Sequence, residues 1–548
     1  MGNSIESIIQ KALATRGVEA VSFVVERPAN VSHGDFTVNA ALVAAKHLGV
    51  SPRELAEALA GELRKALGHT AKSVDVAGPG FINITLSHDA VVQEMERVLE
   101  EGEHYGLGTS EKGKRIIVEY SCPNPFKEMH IGHLMSTIIG EAMSRVIEAT
   151  GAQVTRDSYG GDVGPHVAKA LYALKQQGAQ DVASASEVDT AYVQGAKAYE
   201  ESEEAKAEIE RINQAIYEGT DERLMSLWRK AREVCLEAFR DIYRTLDTHF
   251  DYYFFESETS GIGLEKVREG LAKGIFEESE GAVVYRGEKK GLHTLVFITS
   301  RGTPTYEAKE VGLAFLKEER VPSDVSYILT AAEQIGHFQI VKAALEDIAP
   351  SLGAKTHHLP HGFLRLTTGK MSSREGNTVT ARGLLKDVIE KAQEKNSDPL
   401  IAEQVAVGAI KYMILRQIAG ADIIFDPDKS LSLEGDSGPY LQYALVRARK
   451  ILAYATEGAL SGMPETPYAI ERAILHFPSV VERAGKEHAP QYITHYLTEL
   501  ASLWNAFYAS EQVLGSKEEA YKQRVARAFA ITMENGLRLL GIPAPKEM

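Results

Sequence analysis

Arg115-Ile-Ile-Val-Glu-Tyr120-Ser-Cys-Pro-Asn-Pro-Phe-Lys-Glu-Met-His130-Ile-Gly-His133 is the stretch on which the reading of this chain turns. Its first six residues read as a buried strand. After a short loop, the run from Gly132 to Thr150 reads as a helix that Gly151 stops, and Gln153-Val-Thr-Arg156 reads as a second strand. Strand, helix and strand in this order form a βαβ unit, which predicts a parallel sheet. In open α/β sheets ligands bind beyond the carboxyl ends of the strands. A helix start there offers free N–H groups and a positive dipole end to phosphate. No GxGxxG pattern follows the strand, so the dinucleotide reading lacks its main support. Instead His130 and His133 flank Gly132 at the helix mouth. The histidines can donate to phosphate oxygens, and Gly132 lets a planar base approach the backbone closely. Taken alone, the pair reads equally well as two helix-start histidines without a role.

Four blocks surround this unit. Residues 1–88 read as an α+β domain. It has a helical start, a strand at 21–25, a helix over about 52–67 with Leu55, Leu59, Leu63 and Leu67 on one face, and a strand at 81–85. Residues 89–114 read as a linker. Residues 115–397 read as the sheet domain, with further strands at 282–285, 292–298 and 325–329 and a helical insertion over about 186–250. The five Glu and one Lys of 201–210 read as a solvated helix face. Residues 398–548 read as an all-α bundle without a convincing strand, with helices at 405–417, 440–454, 469–484, 492–514 and 520–540. The predicted fold class is therefore α/β, a doubly wound parallel sheet of Rossmann-like build with a helical insertion, an α+β N-terminal domain and an all-α C-terminal bundle.

Composition narrows the function. At 548 residues, 44% hydrophobic and 25% charged, the chain matches an average soluble protein. Its length predicts about three or four domains. It contains no run of about 18 apolar residues, so no membrane span is expected. Its first thirty residues carry Glu6, Glu19 and Glu26 rather than an apolar signal segment, which predicts a cytoplasmic protein. Cys122 and Cys235 are the only cysteines, too few for a disulfide framework or a zinc ribbon, and no zinc is expected. His357, His358 and His361 are the one histidine cluster that spacing leaves open as a metal site. The net charge of −16 argues against nucleic acid only on average. Residues 431–548 hold 12 basic and 13 acidic residues, a net of −1, so a basic face for RNA remains available there.

The second motif is Thr368-Gly-Lys370-Met371-Ser372-Ser373-Arg374-Glu-Gly-Asn377. Two cations and two hydroxyls in a Gly-bounded loop can close over a pyrophosphate, although such a loop alone also suits a solvated surface. Together, His130-Ile-Gly-His133 and Lys370-Met-Ser-Ser-Arg374 resemble the HIGH and KMSKS motifs of class I aminoacyl-tRNA synthetases. Ser121-Cys-Pro-Asn-Pro-Phe-Lys127 is similar to the arginyl-tRNA synthetase family, in which a Lys precedes the first His by three residues. Gly161-Asp-Val-Gly164 resembles that family's GDWG element with Val163 in place of Trp. Thr305-Tyr306-Glu-Ala-Lys-Glu310, Gly438-Pro-Tyr-Leu-Gln-Tyr443, His33-Gly-Asp35-Phe36 and Gly78-Pro-Gly-Phe81 extend the resemblance over essentially the whole chain.

The resemblance implies an arginine-tRNA ligase. Arginine and ATP would give arginyl-adenylate and pyrophosphate, and arginine would pass to the terminal ribose of its tRNA. ATP would enter with Mg²⁺ as the substrate complex. Phosphoryl chemistry of this kind rests on positioning and positive electrostatics. The implied catalytic residues are Lys127, His130, His133 and Lys370, with Lys127 compensating for Ser373 where the motif has its second Lys. The implied ATP site adds Gly132, Met371, Ser372 and Ser373. The implied arginine site is Asn124, Tyr306, Glu310 and Gln334, where Glu310 replaces the family's usual Asp and adds about 1.5 Å of reach. The implied tRNA contacts are Phe81 and Asn83, which also suit strand core and turn. In the bundle they are Tyr440, Gln442, Arg447, Arg449 and Trp504, whose aromatics suit core packing as well as base stacking. A monomer is the expected state. Other class I synthetases, a small nucleotidylyltransferase and a catalytically inert tRNA-binding relative compete with this reading. The missing zinc ligands, the helical block and the retained His and Lys residues weigh against them in turn.

Overall fold

The computed structural model describes residues 2–19, 21–28, 30–367, 379–418, 420–454 and 463–548. The chain divides into two compact units, one of residues 111–431 and one joining residues 1–110 to 432–548.

A five-stranded parallel sheet organises the first unit. Its spatial order is Thr356–His361, Val325–Ala331, Arg115–Glu119, Gln153–Gly160 and Tyr252–Phe255. In chain order this is strands five, four, one, two and three, so winding reverses between the first and fourth strands. That reversal creates a crevice at the carboxyl ends of Arg115–Glu119 and Val325–Ala331, the usual ligand position. The central strand is buried from Ile116 to Tyr120 and packs on Met143 and Ile147 of the helix Ile131–Glu148.

Two of the expected strands lie elsewhere. Ala282–Tyr285 and Leu295–Ile298 pair antiparallel with each other, and with Glu277–Ser279 they make a separate three-stranded sheet over its own core of Phe276, Phe297 and Val311. The sequence reading also missed Tyr252–Phe255 and Thr356–His361 as sheet members. Short apolar runs do not say which sheet they join.

The insertion forms three helices, Ala185–Glu201, Glu203–Glu218 and Glu222–Thr245. The acidic run exposes Glu201, Glu203, Glu204 and Glu210, with Glu208 half-buried beside Lys175, while Ala205, Ile209, Ile212 and Ile216 face a core shared with Val167, Leu171 and Trp228. Gly195 is required where two helices touch, because a Cβ there would lie 1.9 Å from Lys169 O.

The boundary expected at 397/398 falls instead at 431/432. The helix Pro399–Leu415 is buried on every side from Ala406 to Leu415, which suits the interior of a large unit rather than one face of a bundle. Ile423–Phe425 is a strand, paired with Leu364–Leu366, where none was expected.

The second unit contains a four-stranded antiparallel sheet ordered Val25–Glu26, Phe36–Val38, Phe81–Leu86, Ala71–Ala77. The expected strand at 21–25 is reduced to its end. The expected linker begins as a helix, His88–Glu101, capped by Ser87 and burying Val91, Met95 and Val98. The bundle helices are Gly438–Leu452, Ala469–Ile474, Phe477–Lys486, Gln491–Ser510 and Glu519–Leu539. Asp35, nearly fully buried, accepts from the Leu86 N–H at 2.7 Å and meets Arg472 at 2.6 Å, and Tyr105 donates to Ile474 O. The N-terminal sheet and the bundle are thereby held in one unit.

Candidate functional site

The loop between the first strand and its helix is strained. Ser121, Cys122 and Phe126 all have positive φ (71°, 51° and 73°), a region that non-glycine residues rarely enter. Hydrogen bonds from several elements hold it there. Ser121 N–H donates to Ser136 Oγ at 3.1 Å, and its hydroxyl sits 2.9 Å from Tyr243 OH and accepts from Thr137. Phe126 N–H reaches Cys235 Sγ at 3.4 Å, and Glu128 N–H reaches Asp189 Oδ1 at 3.0 Å. Cys122 Sγ accepts from Tyr159 N–H, and burial pushes its thiol well above the usual range, which fits a structural rather than a reactive role.

His130 caps the helix it precedes. Its Nδ1 accepts from Gly132 N–H at 3.0 Å, and His133 Nδ1 accepts from His130 N–H at 3.4 Å. The rings stack with centroids 3.7 Å apart. Two accepting Nδ1 atoms place the proton of each neutral ring on Nε2, so both present an N–H donor away from the helix. Burial lowers the pKa of His130 and takes that of His133 well below the usual value; Lys127 lowers both further, and His130 also lowers His133. Gly132 is needed because a Cβ would lie 2.8 Å from His130 Cε1. The ring that crowds it is its own neighbour's, a reason the sequence reading did not include.

Val379–Ala381 closes on this helix mouth. Ile131 N–H donates to Val379 O, Ala381 N–H donates to Met129 O, and Thr380 caps the following helix. Lys370, Met371, Ser372 and Ser373 lie outside the described residues. Lys127 rests its ammonium 4.6 Å from the Tyr192 ring of the insertion.

The residues that the resemblance assigns to arginine gather around the same strand ends. Asn124 Oδ1 accepts from Gly161 N–H at 2.8 Å. Asp162 is held by Ser257, by Arg232 at 3.4 Å and through its carbonyl by the indole N–H of Trp228, so a Trp from the insertion meets the segment in which Val163 stands for Trp. Tyr306 and Glu310 lie one turn apart on the helix Tyr306–Arg320. The Tyr306 ring is 4.9 Å from His337, just after half-buried Gln334, which follows the fourth strand. Glu310 is buried, and among the described residues its Oε1 has no hydrogen-bond partner. Burial raises its pKa well above the usual carboxyl range and Glu119 adds to that, while Lys317 and the Tyr306 hydroxyl oppose it.

Three charged groups here escaped the sequence reading. Glu119 ends the central strand, Asp157 lies on its neighbour, and Lys317 reaches both, pairing with Glu119 and lying 2.7 Å from Asp157 Oδ2. The available signal was a Glu, an Asp and a Lys at positions whose neighbours are apolar, since charges almost never enter a core unpaired. The histidine cluster does not become a metal site. His358 Nε2 bonds Thr330, His361 donates to Gly362 O, and no set of three metal-ligating side chains is placed together among the described residues.

Among the expected tRNA contacts, Trp504 and Gln442 are fully buried. Trp504 stacks on Phe529 at 4.6 Å, and Gln442 donates to Pro543 O, so both are core residues and not RNA contacts. Arg449 is engaged with Glu534, Ala544 O and Pro545 O and anchors the closing segment. Asn83 is buried, and its amide oxygen accepts from Thr37. Phe81 is exposed. Arg447 is half-buried, 4.1 Å over Tyr508 and near Tyr443 and Asn505.

A doubly wound parallel sheet with a His-x-Gly-His helix mouth at its switch point is the build of a class I tRNA synthetase. Family models match accordingly: tRNA synthetases class I (R), catalytic domain, over residues 94–427; the DALR anticodon binding domain over 441–548; and the arginyl tRNA synthetase N terminal domain over 3–86. The chain is 30% identical to an arginine–tRNA ligase of Treponema pallidum over 98% of this chain and 96% of that one. It is 31% identical to one of Fusobacterium nucleatum over 95% and 94%. The arginyl-tRNA synthetase structure of Thermus thermophilus matches all of both chains at a TM-score of 0.85 and 27% identity. The chain belongs to the arginyl-tRNA synthetase family of class I, and its activity is the ATP-dependent ligation of arginine to tRNA.

Proposed function

We propose how the described residues divide that work. The guanidinium of arginine enters between Glu310 and Glu119, with Tyr306 and Gln334 along its side and Asn124 near its carboxylate end. The observation behind this reading is the buried Glu310 Oε1 without a partner, since a buried carboxylate oxygen is costly unless a cation or donor meets it. ATP, entering with Mg²⁺ as the substrate complex, lies at the helix mouth, where the Nε2–H groups of His130 and His133 face its phosphates. Lys127 and, from the loop of 368–377, Lys370 with Met371, Ser372 and Ser373 add charge and donors.

An arginine carboxylate oxygen attacks the α-phosphorus while the bond to the bridging oxygen breaks and pyrophosphate leaves. A ribose hydroxyl at the tRNA end then attacks the adenylate carbonyl and AMP leaves. Each step gains mainly from positioning and from donors aimed at developing negative charge. Phe81, Tyr440 and Arg447 are the proposed tRNA contacts, the last with Tyr508 as an exposed stacking partner. A cytoplasmic monomer completes the reading. No described helix is long and apolar enough to cross a membrane.

The test is ATP–pyrophosphate exchange with each amino acid, with and without tRNA, on the wild type and on Glu310→Gln. The reading expects exchange with arginine and a KM for arginine raised about 30-fold or more in the variant, from a lost charge-assisted contact of about 2–5 kcal/mol. An unchanged KM would reject Glu310 as the guanidinium partner.

A further inference from the structure

The charges around the guanidinium pocket do not balance. Glu119, Asp157 and Glu310 are at most 3% exposed, and they share one ammonium, that of Lys317, itself 6% exposed. The other ionisable groups facing them are satisfied or neutral, apart from Lys342 across a small cavity. Glu256 pairs with Lys309 at 2.5 Å, and Asp162 with Arg232. Asp251, beyond the second strand, accepts from Arg156 N–H. Tyr159 bonds Thr259, burial pushes the Cys122 thiol toward its neutral form, and the Tyr306 phenol is uncharged at neutral pH. On the far side, Lys342, His358 and the Glu318–Lys355 pair line a cavity of about 40 Å³ that also touches Glu310 and Lys317.

Lys317 has committed its ammonium to Glu119 and Asp157. Oxygens of Asp157 and Glu310 both lack a hydrogen-bond partner among the described residues, but Asp157 has the Lys317 ammonium at 2.7 Å, whereas Glu310 has no ion pair there. A buried carboxylate in that position takes up a proton instead of remaining charged. We propose that the empty pocket carries one proton on this cluster and releases it when arginine binds, and that Lys317 is the positioning residue that steers the proton onto Glu310. The proposal rests on the pocket reading above. The proton leaves the carboxyl group for solvent as the guanidinium brings its own permanent charge, so the cluster's net charge is unchanged.

The titration directions agree. Burial raises Glu310 well above the usual range and lifts Asp157 to about 7, with Lys317 opposing both shifts and Glu119 adding to them. The titration belongs to the cluster as a whole rather than to either residue. A cation that replaces a proton also selects its ligand. Citrulline has the shape of arginine but a neutral side chain, and it cannot discharge the carboxyl group.

Isothermal titration of the full-length protein with arginine at pH 7, in phosphate and in Tris, reads the proton directly. The heat should differ between buffers by the ionisation enthalpy of about one proton per arginine. Affinity should rise about tenfold per pH unit below the cluster's upper pKa and level off above it, because binding must expel a proton only on the acid side. Asp157→Asn removes a like charge, so the rising limb should move to lower pH. Lys317→Met should move it to higher pH, and Lys317→Arg should restore it. Citrulline should bind at least about 100-fold more weakly. Arginine binding with buffer-independent heat and a flat pH profile would overturn the proton proposal while leaving the pocket standing. Full arginine affinity in Glu310→Gln would overturn the pocket, and the proposal with it. If Lys317→Met does not fold, Asp157→Asn still decides the direction.

Discussion

Gly132→Ala separates two explanations for the glycine of the His-x-Gly-His segment. If Gly132 exists so that a base can approach the backbone, a methyl group there excludes ATP and raises its KM. The geometry predicts a different outcome. The new Cβ would lie 2.8 Å from His130 Cε1 and 2.9 Å from its Nδ1, against ordinary contacts of about 3.4–4 Å. The ring must therefore swing away by at least about half an ångström, losing both its bond to Gly132 N–H and its stack on His133. A displaced donor costs about 2.7–4 kcal/mol of transition-state stabilisation, or about 10²- to 10³-fold in kcat. Folding should hardly notice, because a lost cap of about 0.5–2 kcal/mol is offset by about 1 kcal/mol of gained helix propensity.

Arginine-dependent ATP–pyrophosphate exchange with tRNA present measures kcat and KM together. The decisive comparison is the double variant. In a His130→Ala background, Gly132→Ala should cost less than about threefold, since the ring it displaces is already gone and neighbours that act through one another are not additive. A KM(ATP) effect with kcat intact, or independent losses in the double variant, would refute the argument.

Burial keeps His130 and His133 neutral through physiological pH, and a base with a lowered folded-state pKa leaves its working form only when pH falls below that lowered value. The acid limb of kcat should therefore lie below about 6.5, the ordinary histidine value; a limb at or above it would contradict the assignment. Arg472→Ala leaves Asp35 buried with only the Leu86 N–H, and thermal unfolding should show a loss of about 3 kcal/mol, the low end for a broken buried pair because Arg472 is partly exposed. Trp504→Ala should cost about 3–5 kcal/mol of stability, whereas Trp504→Phe should leave the KM for tRNA within about twofold; a large KM change without lost stability would return Trp504 to the RNA surface. Lys411, fully buried and donating to Leu246 O, has its pKa pushed down to about 7 by burial, while its unfolded value stays near 10.4. The unfolded chain binds the extra proton between those values, so this residue makes stability rise by about 1.4 kcal/mol per pH unit above pH 7, and Lys411→Met should remove that slope.

What the sequence made legible was chemistry written contiguously. Arg115–His133 contains its own strand, loop and helix start, so the fold class follows from one stretch. Tyr306 and Glu310 share a helix face, and a four-residue spacing is visible without a structure. The missed groups depend on elements far apart in the chain. Glu119 and Lys317 are 198 residues apart, and nothing local distinguishes their pairing from two solvated charges. Trp504 and Arg447 illustrate the same limit in the bundle. Four-residue spacing puts Trp504 and Tyr508 on one helix face, and only packing sets Trp504 inside against Phe529 and leaves Tyr508 at the rim beside Arg447. Pro399–Leu415 reads as a bundle member because it is helical, although its near-uniform hydrophobicity from Ala406 onward calls for burial on all sides.

The strained loop gives the insertion its purpose. Three non-glycine residues with positive φ within six positions store about 1–3 kcal/mol each, and such a conformation persists only where its surroundings over-determine it. Ser136 and Thr137 supply part of that constraint from the helix the loop enters. The rest comes from the insertion: Tyr243 against Ser121, Cys235 under Phe126, Asp189 on Glu128 and Tyr192 beneath Lys127. Trp228 and Arg232 hold Asp162 on the other flank. An insertion whose acidic run reads as a solvated helix face is thus the wall against which Asn124, Lys127 and the histidine pair are set. Substitutions on its inner face should reach the chemistry more readily than any change on the glutamate-rich outer one.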